Sequence, residues 1–253
     1  VRLAVVAGGW HWPAHFFQQA ARIFSGADLF VVAHRNPELK IVREEKREVL
    51  ASVTGPLGAL DRELYSAFPS IPDLLRLNWT YEEAPNTVGD WGFFNQWLDR
   101  HDFRKYDVIL NCHDDTYLRG PAFPLDGDWL ILGNGTYPQA PDAYVRGSFE
   151  FWKREMLEMI GGRIDLGEIP FTREGLTDTP QGIEPLLRWN DTALPLRRMM
   201  NDRGLSSRIK FLSPYYRVSP FAIEGERGFM HSRVGVPWSY DEGLKAYPLE
   251  VAA

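Results

Sequence analysis

The run YDVILNCHDDTYLRG, residues 106–120, carries β-forming residues straight into His113, Asp114 and Asp115. A histidine followed by two carboxylates could share a proton or hold a divalent cation, because adjacent ionised carboxylates repel unless positive charge offsets them. The same triplet would also serve as a turn or helix-capping cluster, since Asp fills both roles readily. Three polar groups in a row are costly in a core and useful at the exit of a strand, so the elements around them decide.

Those elements read as an α/β pattern. Residues 2–7, RLAVVA, form a short apolar run that the Gly8-Gly9 pair breaks. Between Pro13 and Phe24 the apolar positions Phe16, Phe17, Ala20, Ala21, Ile23 and Phe24 recur near helical spacing, and Ser25-Gly26 supplies a stop. DLFVVAHR follows as a second strand, ending in His34 and Arg35. This β-α-β order predicts a mostly parallel central sheet flanked by crossover helices.

Residues 41–52 read as a charged surface helix, 54–76 as an irregular stretch broken by Gly55, Pro56, Pro69 and Pro72, and 75–82 as a third strand. A helix is expected from about Val88 to Arg100, with Trp91, Phe94, Trp97 and Leu98 on one side, and a fourth strand over 106–112. Parallel strands present ligands outside their carboxyl ends, so Gly8, Arg35 and His113 should approach one crevice. Beyond it, 128–135 reads as a strand and 149–162 as a helix ended by Gly161-Gly162. Residues 183–203 read as helical with an interruption near Pro195, and RIKFLS as a short strand. A single domain over 1–253 is expected, in segments 1–120, 121–204 and 205–253, the last a tail that could close over the crevice.

Composition sets outer bounds. With 44% apolar residues, 13% aromatic residues and nine Trp, the chain is neither disordered nor of low complexity. A net charge of −6 makes nucleic acid no default partner. The longest apolar runs fall far short of the roughly 18–20 residues that span a bilayer. The lone Cys112 leaves no internal disulfide or cysteine zinc cage, and no signal-type organisation precedes VRLAVVAGG, so a cytoplasmic location is the expectation.

Taken in order, VVAGGW, DLFVVAHR, PNTVGDWGFFNQWL and DVILNCHDD resemble the glycosyltransferases of the GT-A fold that use nucleotide sugars, family 2-like in pattern. The resemblance covers roughly residues 1–205. It implies that the strand ends in an Asp-x-Asp-type metal motif, with His113 at the first acidic position, Asp114 at the variable one and Asp115 at the second. The histidine departs from the usual pattern. On this resemblance Asp115 is the best metal ligand for Mg²⁺ or Mn²⁺, helped by His113, and Asp114 contacts the nucleotide. His231, in FMHSRVG, resembles the late histidine that completes the metal shell, though a surface or packing role is the alternative.

The resemblance extends to RWNDTALPLRRMMNDRG, where Asp191 matches the catalytic base of inverting members; a helix N-cap would also fit. It further implies nucleotide contacts from Ala7, Gly8, Gly9, His34 and Arg35, and from Asn86, Gly89 and Asp90, which could instead simply start a helix. AYVRGSFEFW resembles the part facing donor sugar and acceptor, which makes Arg146, Gly147 and Ser148 candidates. Trp189 is an aromatic that could stack on a sugar ring, as could Trp129 and Trp152, although large aromatics mostly belong to cores.

The expected activity is metal-dependent transfer of a sugar, as by a hexosyltransferase, from a nucleotide-diphosphate donor to a carbohydrate or other hydroxyl acceptor. A sugar-nucleotide or nucleotidyl transferase and a non-catalytic carbohydrate-binding relative are the alternatives.

Overall fold

The structure is a computed structural model that describes residues 1–40, 42–44, 67–85, 89–114, 116, 125–136, 144–165 and 193–211. Strand β1 (Leu3–Gly9), helix α1 (Ala14–Ile23) and strand β2 (Asp28–Ala33) form the first unit. A short α2 (Ile71–Arg76) leads to β3 (Trp79–Glu83), and α3 (Gly89–Arg100) crosses back to β4 (Val108–His113). The second part contributes β5 (Ile131–Thr136), β6 (Tyr144–Lys153), α4 (Arg154–Met159), α5 (Ala193–Asp202) and β7 (Ile209–Phe211).

Among the described residues these strands make one seven-stranded sheet in the order β3-β2-β1-β4-β6-β5-β7. Strands β1 to β4 pair in parallel, as do β5 and β7, while β6 runs antiparallel between β4 and β5. The expected α/β class with a mostly parallel sheet is what forms.

Side chains alternate across a strand, so each strand feeds two cores. Val5, Ala7, Val31 and Leu110 pack with Phe16 and Phe17 of α1 on one face. Ala4, Val6, Phe30 and Ile109 pack with Trp91, Phe94 and Trp97 of α3 on the other. Complete burial of such side chains contributes about 1.5–3 kcal/mol each. That anchoring fixes where the first turn of α3 meets the sheet. Trp129 and Trp152, 3% and 0% exposed, belong to these cores, which takes them out of the sugar-stacking role.

Three local expectations need correction. Residues 149–153 are strand, not helix; only Arg154–Met159 is helical. Phe149 and Phe151 face the α1 side while Trp152 faces the α3 side, so both faces of β6 are buried and periodicity cannot distinguish it from a core helix. The stretch read as irregular contains α2, opened by a capping box: the Asp73 amide donates to Ser70 Oγ at 3.2 Å and the Ser70 amide donates to Asp73 Oδ2 at 2.8 Å. Pro72 sits in its first turn, where proline is tolerated. The third strand begins at Trp79 rather than Leu75, because Asn78, at φ +62°, turns the chain after α2. Of the charged segment 41–52, residues 42–44 are helical and the rest lies outside the described residues.

Candidate functional site

The connection from β1 to β2 goes to one side of β1, and β4 lies on the other. Such a reversal opens a crevice outside the carboxyl ends of the two central strands. Gly8 pairs with Val32 on β2 and with His113 on β4, so the ends of three strands lie side by side there. The Ala7-Gly8-Gly9 run, the His34-Arg35 pair and His113, distant in sequence, are thereby brought to one edge.

Both glycines are required by the protein's own packing. A Cβ on Gly8 would stand 2.7 Å from Cε1 of Phe93, and one on Gly9 would stand 2.6 Å from Cη2 of Trp12. One glycine thus admits a ring on the α3 face and the other a ring on the α1 face. Their carbonyls are engaged as well: the His34 amide donates to Gly9 O at 3.0 Å and the Asp114 amide to Gly8 O at 3.3 Å.

Phe93 is a residue the sequence pattern did not single out. Its ring centroid lies 6.1 Å from that of His34 and 5.9 Å from that of His113, standing between the two imidazoles. Burial first, and the nearby His113 second, push the His34 imidazole down from 6.5 to about 4, so it is neutral at neutral pH. Its Nε2 is buried without a hydrogen-bond partner among the described residues. A neutral imidazole offers one donor and one acceptor, which suits a hydroxyl or a base edge.

Next to it, the Arg35 guanidinium lies 3.8 Å over the ring of Trp10, a cation–π contact that holds the charge at the edge. Trp10 was also missed, although it directly follows the glycine pair. His34, Arg35 and Asn36 face Glu83, Ala84 and Pro85 across an open depression of about 260 Å³. That volume is below the range of about 300–1,000 Å³ usual for a whole small-molecule site, so the depression is sized for part of a ligand.

The HDD triplet divides. His113 faces the α3 side beside Phe93, while Asp114 turns to the α1 side. Asp114 is fully buried, and its Oδ2 accepts the amides of Trp10 at 3.0 Å, His11 at 2.8 Å and Trp12 at 2.7 Å. A carboxylate with these partners is a loop anchor. His113 and Asp114 point to opposite faces and do not fit a shared cation. Among the described residues no group of three or more His, Cys, Asp or Glu could hold a metal ion.

Arg146, Gly147 and Ser148 precede the Phe149–Cys112 pair on antiparallel β6, so their backbone stands at the same carboxyl edge as the end of β4. Gly89 and Asp90 open α3. Asn86, Asp115, Trp189, Asp191 and His231 lie outside the described residues. Below the edge, fully buried Glu150 accepts from Asn111 Nδ2 at 2.7 Å and from Trp91 Nε1 at 3.3 Å, joining β6, β4 and α3. A lone carboxylate in the apolar run FEFW was its signal in the sequence.

Fold and edge together define an α/β protein whose central parallel strands end in polar groups, with the described depression lying beyond the ends of β2 and β3. No protein-family model matches the chain, and no curated protein does. Among solved structures, the glycosyltransferase GlyE of Streptococcus pneumoniae TIGR4 is similar over 98% of this chain, at 10% identity and a TM-score of 0.45. The chain spans 53% of the length of that protein. No described helix is long and apolar enough to cross a membrane.

Proposed function

We propose that the chain is a glycosyltransferase that moves a sugar from a nucleoside-diphosphate donor to an acceptor hydroxyl. The observation that carries this reading is the convergence of Gly8, His34, Arg35 and His113 on the carboxyl edge at the switch point. In this reading the Arg35 guanidinium, steadied by Trp10, pairs with phosphate, and neutral His34 hydrogen-bonds ribose or base. Asn86, Gly89 and Asp90 border the nucleotide. Arg146, Gly147 and Ser148 face donor sugar and acceptor, with Trp189 as a stacking surface. Asp191 takes the proton from the acceptor hydroxyl as it attacks, which gives inversion at the anomeric carbon.

A bound Mg²⁺ or Mn²⁺ would supply charge neutralisation on the leaving diphosphate. In this reading Asp115 and His231, with His113, would hold it. The commitment of Asp114 to the loop favours a second reading, a carbohydrate-binding relative without turnover, since it removes one expected nucleotide contact from the edge.

The test is incubation with UDP-, GDP-, CDP- and dTDP-sugars and a panel of mono- and oligosaccharide acceptors, with Mn²⁺ or with chelator, and assay of the released nucleotide. Free nucleoside diphosphate from one donor, abolished by chelator, is the expected result. Release of pyrophosphate from a parallel incubation with the four nucleoside triphosphates and a sugar 1-phosphate would assign nucleotidyl transfer instead. Sugar binding with no release from any donor would assign the non-catalytic reading.

A further inference from the structure

We infer that Asp114 is a positioning residue: its buried carboxylate folds the loop between β1 and α1 so that Trp10 stands beneath Arg35, which lines the depression. Three successive amides, those of Trp10, His11 and Trp12, converge on one oxygen, Oδ2, and the His11 amide also reaches Oδ1 at 3.1 Å. Consecutive amides aim at a single point only when the backbone curls around it, and an ionised acceptor strengthens each bond. The curl forces Trp12 to φ +61°, the left-handed region that bulky residues rarely occupy and that persists only where the surroundings over-determine it.

The curl sends the two tryptophans in different directions. Trp12 is fully buried, stacked on Phe17 with centroids 5.5 Å apart, and fills the space left by Gly9. Trp10 stays at the edge, with Arg35 over its ring and His34 edge-on at 6.5 Å. Asp114 is itself fixed from the other side, since its amide extends the β1–β4 ladder to Gly8 O and the Thr116 hydroxyl closes the turn onto His113 O at 2.9 Å. The end of β4 thus sets the shape of a loop that it does not adjoin in sequence. What Trp10 and Arg35 bind rests on the nucleotide reading above; the loop geometry does not.

The experiment compares the intact chain with Asp114→Asn, Asp114→Ala and Trp10→Leu, each checked for folding by circular dichroism. Amide hydrogen exchange is followed over residues 10–12 and over β2, and UDP and GDP are titrated by calorimetry. Asp114→Asn should speed exchange at residues 10–12 at least tenfold with β2 unchanged, and should weaken the better nucleotide at least tenfold. Trp10→Leu should weaken the nucleotide similarly while leaving exchange at residues 11 and 12 as it was. A purely structural Asp114 would lower thermal stability and speed exchange everywhere while sparing affinity, and that result overturns the inference. So does unchanged exchange over residues 10–12 in Asp114→Asn, which serves alone should the alanine variant fail to fold. If the unaltered chain binds neither nucleotide, the nucleotide reading fails, and the loop assignment is decided by the exchange data by themselves.

Discussion

The ring of Phe93 crosses Gly8 so closely that a Cβ at Gly8 would lie within 2.8 Å of two of its carbons, and Phe93 is only 3% exposed. The ring therefore has no solvent to move into. It lies in ring contact with both His34 and His113, at 6.1 and 5.9 Å between centroids.

Gly8→Ala should accordingly cost about 1–3 kcal/mol, the usual penalty for overpacking a filled core. Denaturant unfolding would measure it. The double variant Gly8→Ala/Phe93→Leu should recover part of the loss, because the two sites share one contact and are not additive. Equal loss in the single and double variants would mean that strain elsewhere is responsible.

Glu150 gives a second stability prediction. Glu150→Ala removes the acceptor shared by Asn111 and Trp91, at about 1–3 kcal/mol for each donor deprived of it, whereas Glu150→Gln keeps an acceptor and should cost less. Gly133→Ala should destabilise even in the Glu150→Ala background. A Cβ there meets Phe149 O at 2.9 Å as well as the Glu150 side chain, and backbone cannot swing away. Urea midpoints for the three variants are the measurement.

Protonation of His34 links stability to pH. Its pKa is about 4 in the folded chain against an ordinary 6.5, so between those values the unfolded chain binds more protons than the folded one. The contribution is fully present above about pH 6.5 and is lost as pH falls toward 4. Unfolding midpoints from pH 4 to 8 should therefore fall more steeply on the acid side for the unaltered chain than for His34→Gln. Parallel curves would show that His34 does not titrate in this way.

Catalysis supplies the fourth. Asp191→Asn should lower turnover by about 10²–10⁴-fold, the range for loss of a general base, with nucleotide affinity unchanged. Full turnover in that variant would reject Asp191 as the base.

The sequence made the first half of the fold legible because β1, α1, β2, α3 and β4 carry clear apolar periods bounded by glycine or polar stops. The strand-end rule gathered Gly8, Arg35 and His113 at one edge, and Gly8 does pair with His113 there. Strand β6 escaped because FEFWK is buried on both faces, so no alternation of apolar and polar residues marks it as a strand. The capping box at Ser70 and Asp73 was readable but was hidden among prolines. Asp114 could not be read at all: its three partners lie 104, 103 and 102 positions away, and no local pattern announces amides that only a folded loop can aim.

The placement of β6 also bears on how the chain assembles as it is synthesised. Strands β1 to β4 can pair among themselves once His113 has emerged, yet β4 then presents an open edge until Phe149–Lys153 arrive to pair with it. An unpaired edge beside a formed apolar face invites association with other nascent chains. Conditions that slow elongation between the end of β4 and the start of β6 should lower the soluble yield of this protein more than delays placed after Lys153.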